Sequence, residues 1–373
     1  MKMFGLRFGV FTLCLLSIIS NARPVAAFFP AAKNNSVQST KVDEFVTNEM
    51  KTSRIPGASL AVIKSGRIIF LKGYGSANLE LDVKAVPQTN YLIASVTKSF
   101  TAIALMSLWE EGKFDLDDAI GKYLDDLPEH WKPLTIRQLL SHTSGIPTNL
   151  DPESGCKFDF DPDKYTRKNF LQEVECLPLD FEPGTKWKYS SSTGYTLLGS
   201  LIEKLSGKTY EVYLIERIFD PLKMHETRML DHDRLKRNRA DGYNFEDGEF
   251  SNSERLDPVG EFASGGLVST VLDLAKFDAA LYSARILKRT TLEKMWTNAR
   301  LNDGTVIESY GLGFGLTPFK GQKRVGHTGG TPGYSSCYTR FTEKKISVIL
   351  LTNTNHKDFN VGEMCNEIAA FYF

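Results

Sequence analysis

Two runs of β-prone residues meet at a polar break early in the chain. "ASLAVIK" (58–64), the turn pair Ser65 and Gly66, and "RIIFLKGYG" (67–75) predict a β-hairpin. A matching pair closes the chain: "GYSSCYTRF" (333–341) and "KKISVILLTN" (344–353) flank the break at Thr342 and Glu343, and a last helix is expected over about Val361 to Phe371. The segment 117–257 reads as more helical and irregular, rich in Asp, Pro and turn residues, and includes "LTIRQLLSHTSGIP" and "FEPGTKWKYSSSTGYTLLGSLIEKLSG". These patterns predict an α+β fold, with an antiparallel sheet built from both chain ends and flanked by helices. A mostly helical second lobe completes it. The expected catalytic domain is 41–373, its α/β lobe formed by about 41–116 and 258–373 and its helical lobe by about 117–257. A cleft between two such lobes is a natural place for a site.

One further run stands apart. In "IASVTKSFTAIALMSLWEEG" (93–112) the stretch from Phe100 to Trp109 is apolar nearly all round, the pattern of a helix enclosed by protein. Lys98 stands at its entrance, three positions after Ser95. Residues so spaced share a helix face, so hydroxyl and amine can meet. Burial favours the neutral amine, which can take a proton from a serine. The free N–H groups of a helix N-terminus can stabilise a developing oxyanion. An N-capping serine beside a snorkelling lysine is the plainer alternative for an S-x-x-K pattern taken alone.

Composition narrows the field. The chain has 373 residues, 42% hydrophobic and 24% charged, with 45 basic and 45 acidic side chains, so nothing points to nucleic acid or an acidic surface as partner. Lys2 and Arg7 precede an apolar stretch from Phe8 to Ser20, followed by Ala22, Ala26 and Ala27. Residues 1–27 therefore read as a cleavable signal peptide and 28–40 as a flexible leader, which makes the expected protein secreted, with no membrane attachment after signal removal. The apolar stretch is shorter than the roughly 20 residues a spanning helix needs. Removal of the signal takes Cys14 with it and leaves Cys156, Cys176, Cys337 and Cys365, an even set for an oxidising compartment. A Cys156–Cys176 bridge is expected in the irregular middle segment, while Cys337 and Cys365 could pair or stay as buried thiols. Asn34-Asn35-Ser36 is a glycosylation sequon in the leader.

Two more segments turn the serine and lysine into a constellation. Tyr189 follows the Pro183-Gly184 turn and precedes an apolar helix, and "GHTGGTPGYSS" puts paired glycines where a strand is expected. Glycines weaken a strand unless something must approach its backbone, and a substrate could be that something. The chain resembles the serine β-lactamase and penicillin-binding-protein superfamily, in the branch of class C β-lactamases, D-alanyl-D-alanine carboxypeptidases and related esterases. Its three signature elements correspond to Ser95-Val96-Thr97-Lys98, Tyr189-Ser190-Ser191 and His327-Thr328-Gly329. "FDLDDAIGKYL", "LTIRQLLSHTSGIP" and "ASGGLVSTVLDLAKF" support the likeness in the expected order.

The resemblance implies acylation of Ser95 by a small-molecule or peptide-like carbonyl substrate, with Lys98 and Tyr189 handling the proton, followed by hydrolysis. It implies an oxyanion hole from the N–H groups of Ser95 and Gly330, and substrate contacts from Ser191, His327, Thr328 and Gly329. No metal or cofactor is called for, and the oligomeric state is left open. Relatives carry Tyr-x-Asn where this chain has Ser191, in a segment one residue longer, so either Ser191 or Ser192 takes the Asn place and amide recognition weakens. His327 stands where relatives have lysine, so its attraction for a substrate carboxylate is expected to grow as pH falls. His142 is expected to fix a loop, and Trp187 and Tyr195 to belong to the core. His130, His225, His232 and His356 show no metal-ligand spacing. The reading that follows is a serine hydrolase acting on an ester, amide or peptide-like carbonyl, esterase or small-peptide hydrolase rather than dedicated β-lactamase. A catalytically silent binding or scaffold protein is the rival.

Overall fold

The computed structural model describes residues 37–147, 166, 169, 176–190 and 192–373. The expected signal peptide, Asn34, Cys156 and Ser191 lie outside them. A six-stranded antiparallel sheet takes β1 (Gly57–Lys64), β2 (Arg67–Asn78) and β3 (Val83–Lys84) from the front of the chain. It takes β4 (Arg324–Thr331), β5 (Tyr334–Phe341) and β6 (Ile346–Thr352) from the back, in the order β4-β5-β6-β1-β2-β3. The two chain ends meet where β1 pairs with β6, from Ala58 opposite Thr352 to Lys64 opposite Ile346. The class expected from the sequence is therefore the class observed.

Strand periodicity explains why the central runs look uniformly apolar, for both faces of the sheet are covered. Leu60, Val62, Val348 and Leu350 face α1 (Val37–Thr52) and the closing helix Val361–Ala370 in one core. Ala61, Ile63, Ile349 and Leu351 belong to the other, which contains α2 (Thr97–Glu110). Helix α1 begins at Val37, inside the segment read as a leader, because Val42 and Val46 bury against the sheet. Helix α2 is buried from Thr97 to Leu108, as its all-round apolarity requires.

The middle segment contributes α3 (Ile136–Ser141) and α4 (Thr193–Ser206). It also adds a two-stranded hairpin, Tyr243–Glu246 with Glu249–Asn252, which hydrophobic periodicity did not announce. Asp247 and Gly248 both take positive φ there, the conformation that an Asp-Gly hairpin turn supplies. The chain then enters α5 (Pro258–Gly265) and α6 (Val271–Tyr282), and ends in α7 (Val361–Ala370).

Cys337 and Cys365 are buried free thiols. Cys176 is disulfide-bonded. Non-reducing peptide mapping is expected to return Cys156 linked to Cys176, a loop closure worth roughly 3 kcal/mol on the chain-entropy model. Recovery of Cys156 as a thiol would overturn that pairing.

Candidate active site

Ser95 sits in a short turn, Ala94–Val96, that leads directly into α2, and it is partly exposed while the residues on both sides are buried. Ala94 takes a φ of 44°, a left-handed conformation that a non-glycine residue adopts only under constraint. The constraint comes from neighbouring strands: the Ile93 N–H donates to Leu267 O at 2.9 Å, and Ser336 Oγ donates to Ile93 O at 2.6 Å. Gly329 completes the clamp. A Cβ at that position would lie 2.4 Å from Ile93 O and 2.9 Å from Ser95 N. The missing side chain thus lets β4 lie against the nucleophile turn. Gly330 is exposed and borders the cavity in front of Ser95.

Lys98 lies on the first turn of α2, only 1% exposed. Its Nζ donates to Ser95 Oγ at 3.1 Å and to the Ser264 carbonyl oxygen at 2.9 Å. Burial lowers its pKa from 10.5 to about 7, with the negative charge of Glu261 pulling the other way. Near neutral pH a large fraction of the amine is therefore free to accept a proton. Its Nζ stands 5.3 Å from the centre of the Tyr189 ring and 5.4 Å from that of Tyr195. Burial raises the Tyr189 phenol above its ordinary range, with a hydrogen bond to Ser95 opposing the rise. Tyr189 is accordingly a neutral phenol beside the nucleophile, suited to passing a proton on rather than to starting as the base.

His327 departs most from its expected role. Its Nε2 pairs with the Tyr310 hydroxyl at 2.8 Å and its Nδ1 lies 2.6 Å from the Thr328 carbonyl oxygen. Burial, with the Lys98 charge as a smaller cause, lowers its pKa from 6.5 to about 3. The imidazole stays neutral throughout the range in which it was expected to gain charge, and its nitrogens are engaged inside the protein. Thr328 borders the cavity while its methyl faces Gly362 of α7.

His142 fulfils its loop-fixing role: its Nδ1 accepts from the Ser190 N–H at 3.2 Å, and its ring packs 4.4 Å from that of Tyr189. Tyr195 is fully buried, its hydroxyl donating to Leu140 O at 3.0 Å. Trp187, expected in the core, borders the cavity instead. Three residues escaped the sequence reading, namely Tyr310, Ser264 and Glu261. The last two fall in or next to the quoted "ASGGLVSTVLDLAKF", but no spacing rule connects them to Lys98.

The cavity in front of Ser95 holds about 440 Å³ and is bordered by Trp187, Tyr189, Tyr310, His327 and Gly330, a size and aromatic lining that suit a small organic substrate. A second cavity of about 560 Å³, beside Arg239 and Tyr334, contains none of the catalytic candidates. A serine and a buried lysine in hydrogen-bond contact on this sheet-and-helix frame place the chain among proteins of the β-lactamase fold. The chain belongs to the Beta-lactamase family, whose model matches residues 42–369. It is 33% identical over 311 residues to a penicillin-binding protein of Bacillus subtilis (strain 168), an alignment covering 78% of this chain and 66% of that protein. Protein flp of Staphylococcus aureus (strain MW2) is 33% identical over 215 residues, 56% of this chain and 42% of its own length. The chain thus spans two thirds or less of these relatives. Among solved structures, D-amino acid amidase from Ochrobactrum anthropi SV3 superposes with a TM-score of 0.75 at 28% identity, over 90% of this chain and 98% of the amidase. The penicillin-binding protein homologue from Pyrococcus abyssi gives 0.75 at 32% identity, over 89% and 76%.

Proposed function

We propose that this chain hydrolyses a small ester, amide or peptide-like carbonyl compound through an acyl-enzyme on Ser95. The observation that carries the reading is the 3.1 Å contact between Ser95 Oγ and a buried Lys98 amine whose pKa falls to about 7. As Ser95 Oγ bonds to the carbonyl carbon, its proton passes to Lys98 and the carbonyl electrons move onto oxygen, where the N–H groups of Ser95 and Gly330 receive the charge. Collapse expels the leaving group, which takes the proton from Lys98 by way of the Tyr189 hydroxyl. Water then attacks the ester carbon and gives its proton to Lys98. As the acid departs, that proton returns to Ser95 Oγ. The likeness to a D-amino acid amidase and to penicillin-binding proteins favours amide and peptide-like acyl donors, and the aromatic cavity favours an apolar group beside the carbonyl. A polar carboxylate is not read by His327 in this scheme.

Export is part of the proposal. The N-terminal signal pattern and the bonded state of Cys176 both suit an oxidising compartment.

A fluorophosphonate probe is expected to add to the purified protein at Ser95, identified by peptide mass, and to leave Ser95→Ala unmodified. Parallel assays with a p-nitrophenyl ester, an amino acid amide and a penicillin would rank the acyl donors. Absence of any adduct on the folded protein would favour the silent scaffold.

A further inference from the structure

Glu261 enters the site from the side of α5. Asp257 caps that helix, its carboxylate accepting from the N–H groups of Val259 at 3.0 Å and Gly260 at 2.9 Å. Immediately after Glu261 the helix breaks: Phe262 has φ 19° and ψ −123°. The break aims two carbonyls at α2, Ala263 O taking a hydrogen bond from Thr101 Oγ1 at 2.6 Å and Ser264 O the one from Lys98. Thr331, the last residue of β4, donates to Glu261 Oε1 at 3.3 Å. The other oxygen, Oε2, lies only 1.9 Å from where a Cβ on Gly265 would stand, and that Cβ would be 3.7 Å from the carbonyl carbon of Ala94. A glycine therefore keeps open the space that this carboxylate occupies near Ala94.

We propose that Glu261 is the counter-charge of Lys98, a positioning residue whose carboxylate stabilises the ammonium formed when the lysine takes the Ser95 proton. The proposal rests on the Ser95–Lys98 reading above. Among the described residues, the negative charge that acts on Lys98 is that of Glu261. Lys98 meets the rings of Tyr189 and Tyr195 and acts electrostatically on His142 and His327, whose pKa values are both lowered, so both imidazoles are neutral. The Glu261 carboxylate accepts from Thr331, the charges of Lys98 and Asp257 act on it, and its own charge acts on the Tyr189 phenol. Its charge and that of Lys98 each favour the other's ionised form, against burial that disfavours both.

The rate of acylation of wild-type protein by a fluorophosphonate should rise with pH through the Lys98 transition, because the ammonium form cannot accept a proton. Glu261→Gln retains an acceptor for Thr331 but removes the charge. Its acylation limb is expected to move to lower pH by about one unit, with a lower plateau, and Glu261→Asp should restore part of the shift. Gly265→Ala, whose methyl would occupy the carboxylate's space, should shift the limb in the same direction and provides a second route if Glu261→Gln fails to fold. A limb unmoved in folded Glu261→Gln or Gly265→Ala, whatever the change in melting temperature, would overturn the counter-charge role. Failure of the wild-type protein to acylate at Ser95 would instead overturn the underlying reading.

Discussion

Replacing Lys98 with methionine is expected to lower kcat/KM for an activated ester by about 10³-fold or more while raising the melting temperature. The loss follows from its contact with Ser95 Oγ: methionine fills similar space but accepts no proton, and the serine hydroxyl is a weak nucleophile without a base. Because serine and lysine act as one unit, Ser95→Ala should be about as damaging, and the double variant little worse than either single one. The gain in stability has a separate origin. Folding moves the Lys98 pKa from 10.5 to about 7, so between those values the unfolded chain binds more protons than the folded one. Stability contributed by this group therefore rises with pH across that window, and at pH 7 the buried lysine costs on the order of a few kcal/mol. Methionine removes that cost, and Glu261, left without its counter-charge, can take up a proton because burial already raises its pKa. Thermal unfolding at pH 7 and pH 9 checks the point: the advantage of Lys98→Met should shrink at the higher pH. A variant that keeps its turnover would eliminate Lys98 as the base, and one that melts lower than wild type at pH 7 would show that the lysine is held without strain.

Asp278→Asn is expected to destabilise the fold by about 3–5 kcal/mol. Asp278 and Arg340 form an ion pair at 2.8 Å in which both side chains are 0% exposed. Asp278 Oδ1 also accepts from Tyr338 Oη at 3.0 Å and Ser347 Oγ at 2.8 Å, so one carboxylate oxygen ties α6 to β5 and β6. The guanidinium lies 4.2 Å from the centre of the Tyr282 ring and 4.9 Å from that of Trp296, and the rings shield it further from water. Neutralising the carboxylate leaves that cation buried without its partner, which is the costly situation for an ion pair. Replacing both residues by apolar ones, as in Asp278→Leu with Arg340→Met, should cost less than the single change, since no isolated charge remains. Urea titrations of the three proteins measure the difference. A loss below about 1 kcal/mol in Asp278→Asn would mean that water reaches the guanidinium.

What the sequence determined by itself was local. The Ser65-Gly66 turn between two β-prone runs announced the first hairpin, and the all-round apolarity of 100–109 announced a buried helix, because backbone conformation and side-chain period act over a few residues. The spacing of Ser95 and Lys98 was legible for the same reason, since one helical turn sets their contact. The resemblance then named Tyr189 and the strand of His327. Tertiary structure alone decided how those residues behave. His327 looked like a titrating group until Tyr310 and the Thr328 carbonyl enclosed its ring, and Gly329 gave no sign that its strand packs against the Ile93–Ser95 turn. The lysine's second partner, Ser264, lies 166 residues further along the chain, and Asp278 meets Arg340 across a separation of 62. Such contacts leave no periodic trace in the sequence. They arise when elements already formed are packed together, and the packing removes water from the groups it joins, which is why it decides the charge state of Lys98, Glu261 and His327.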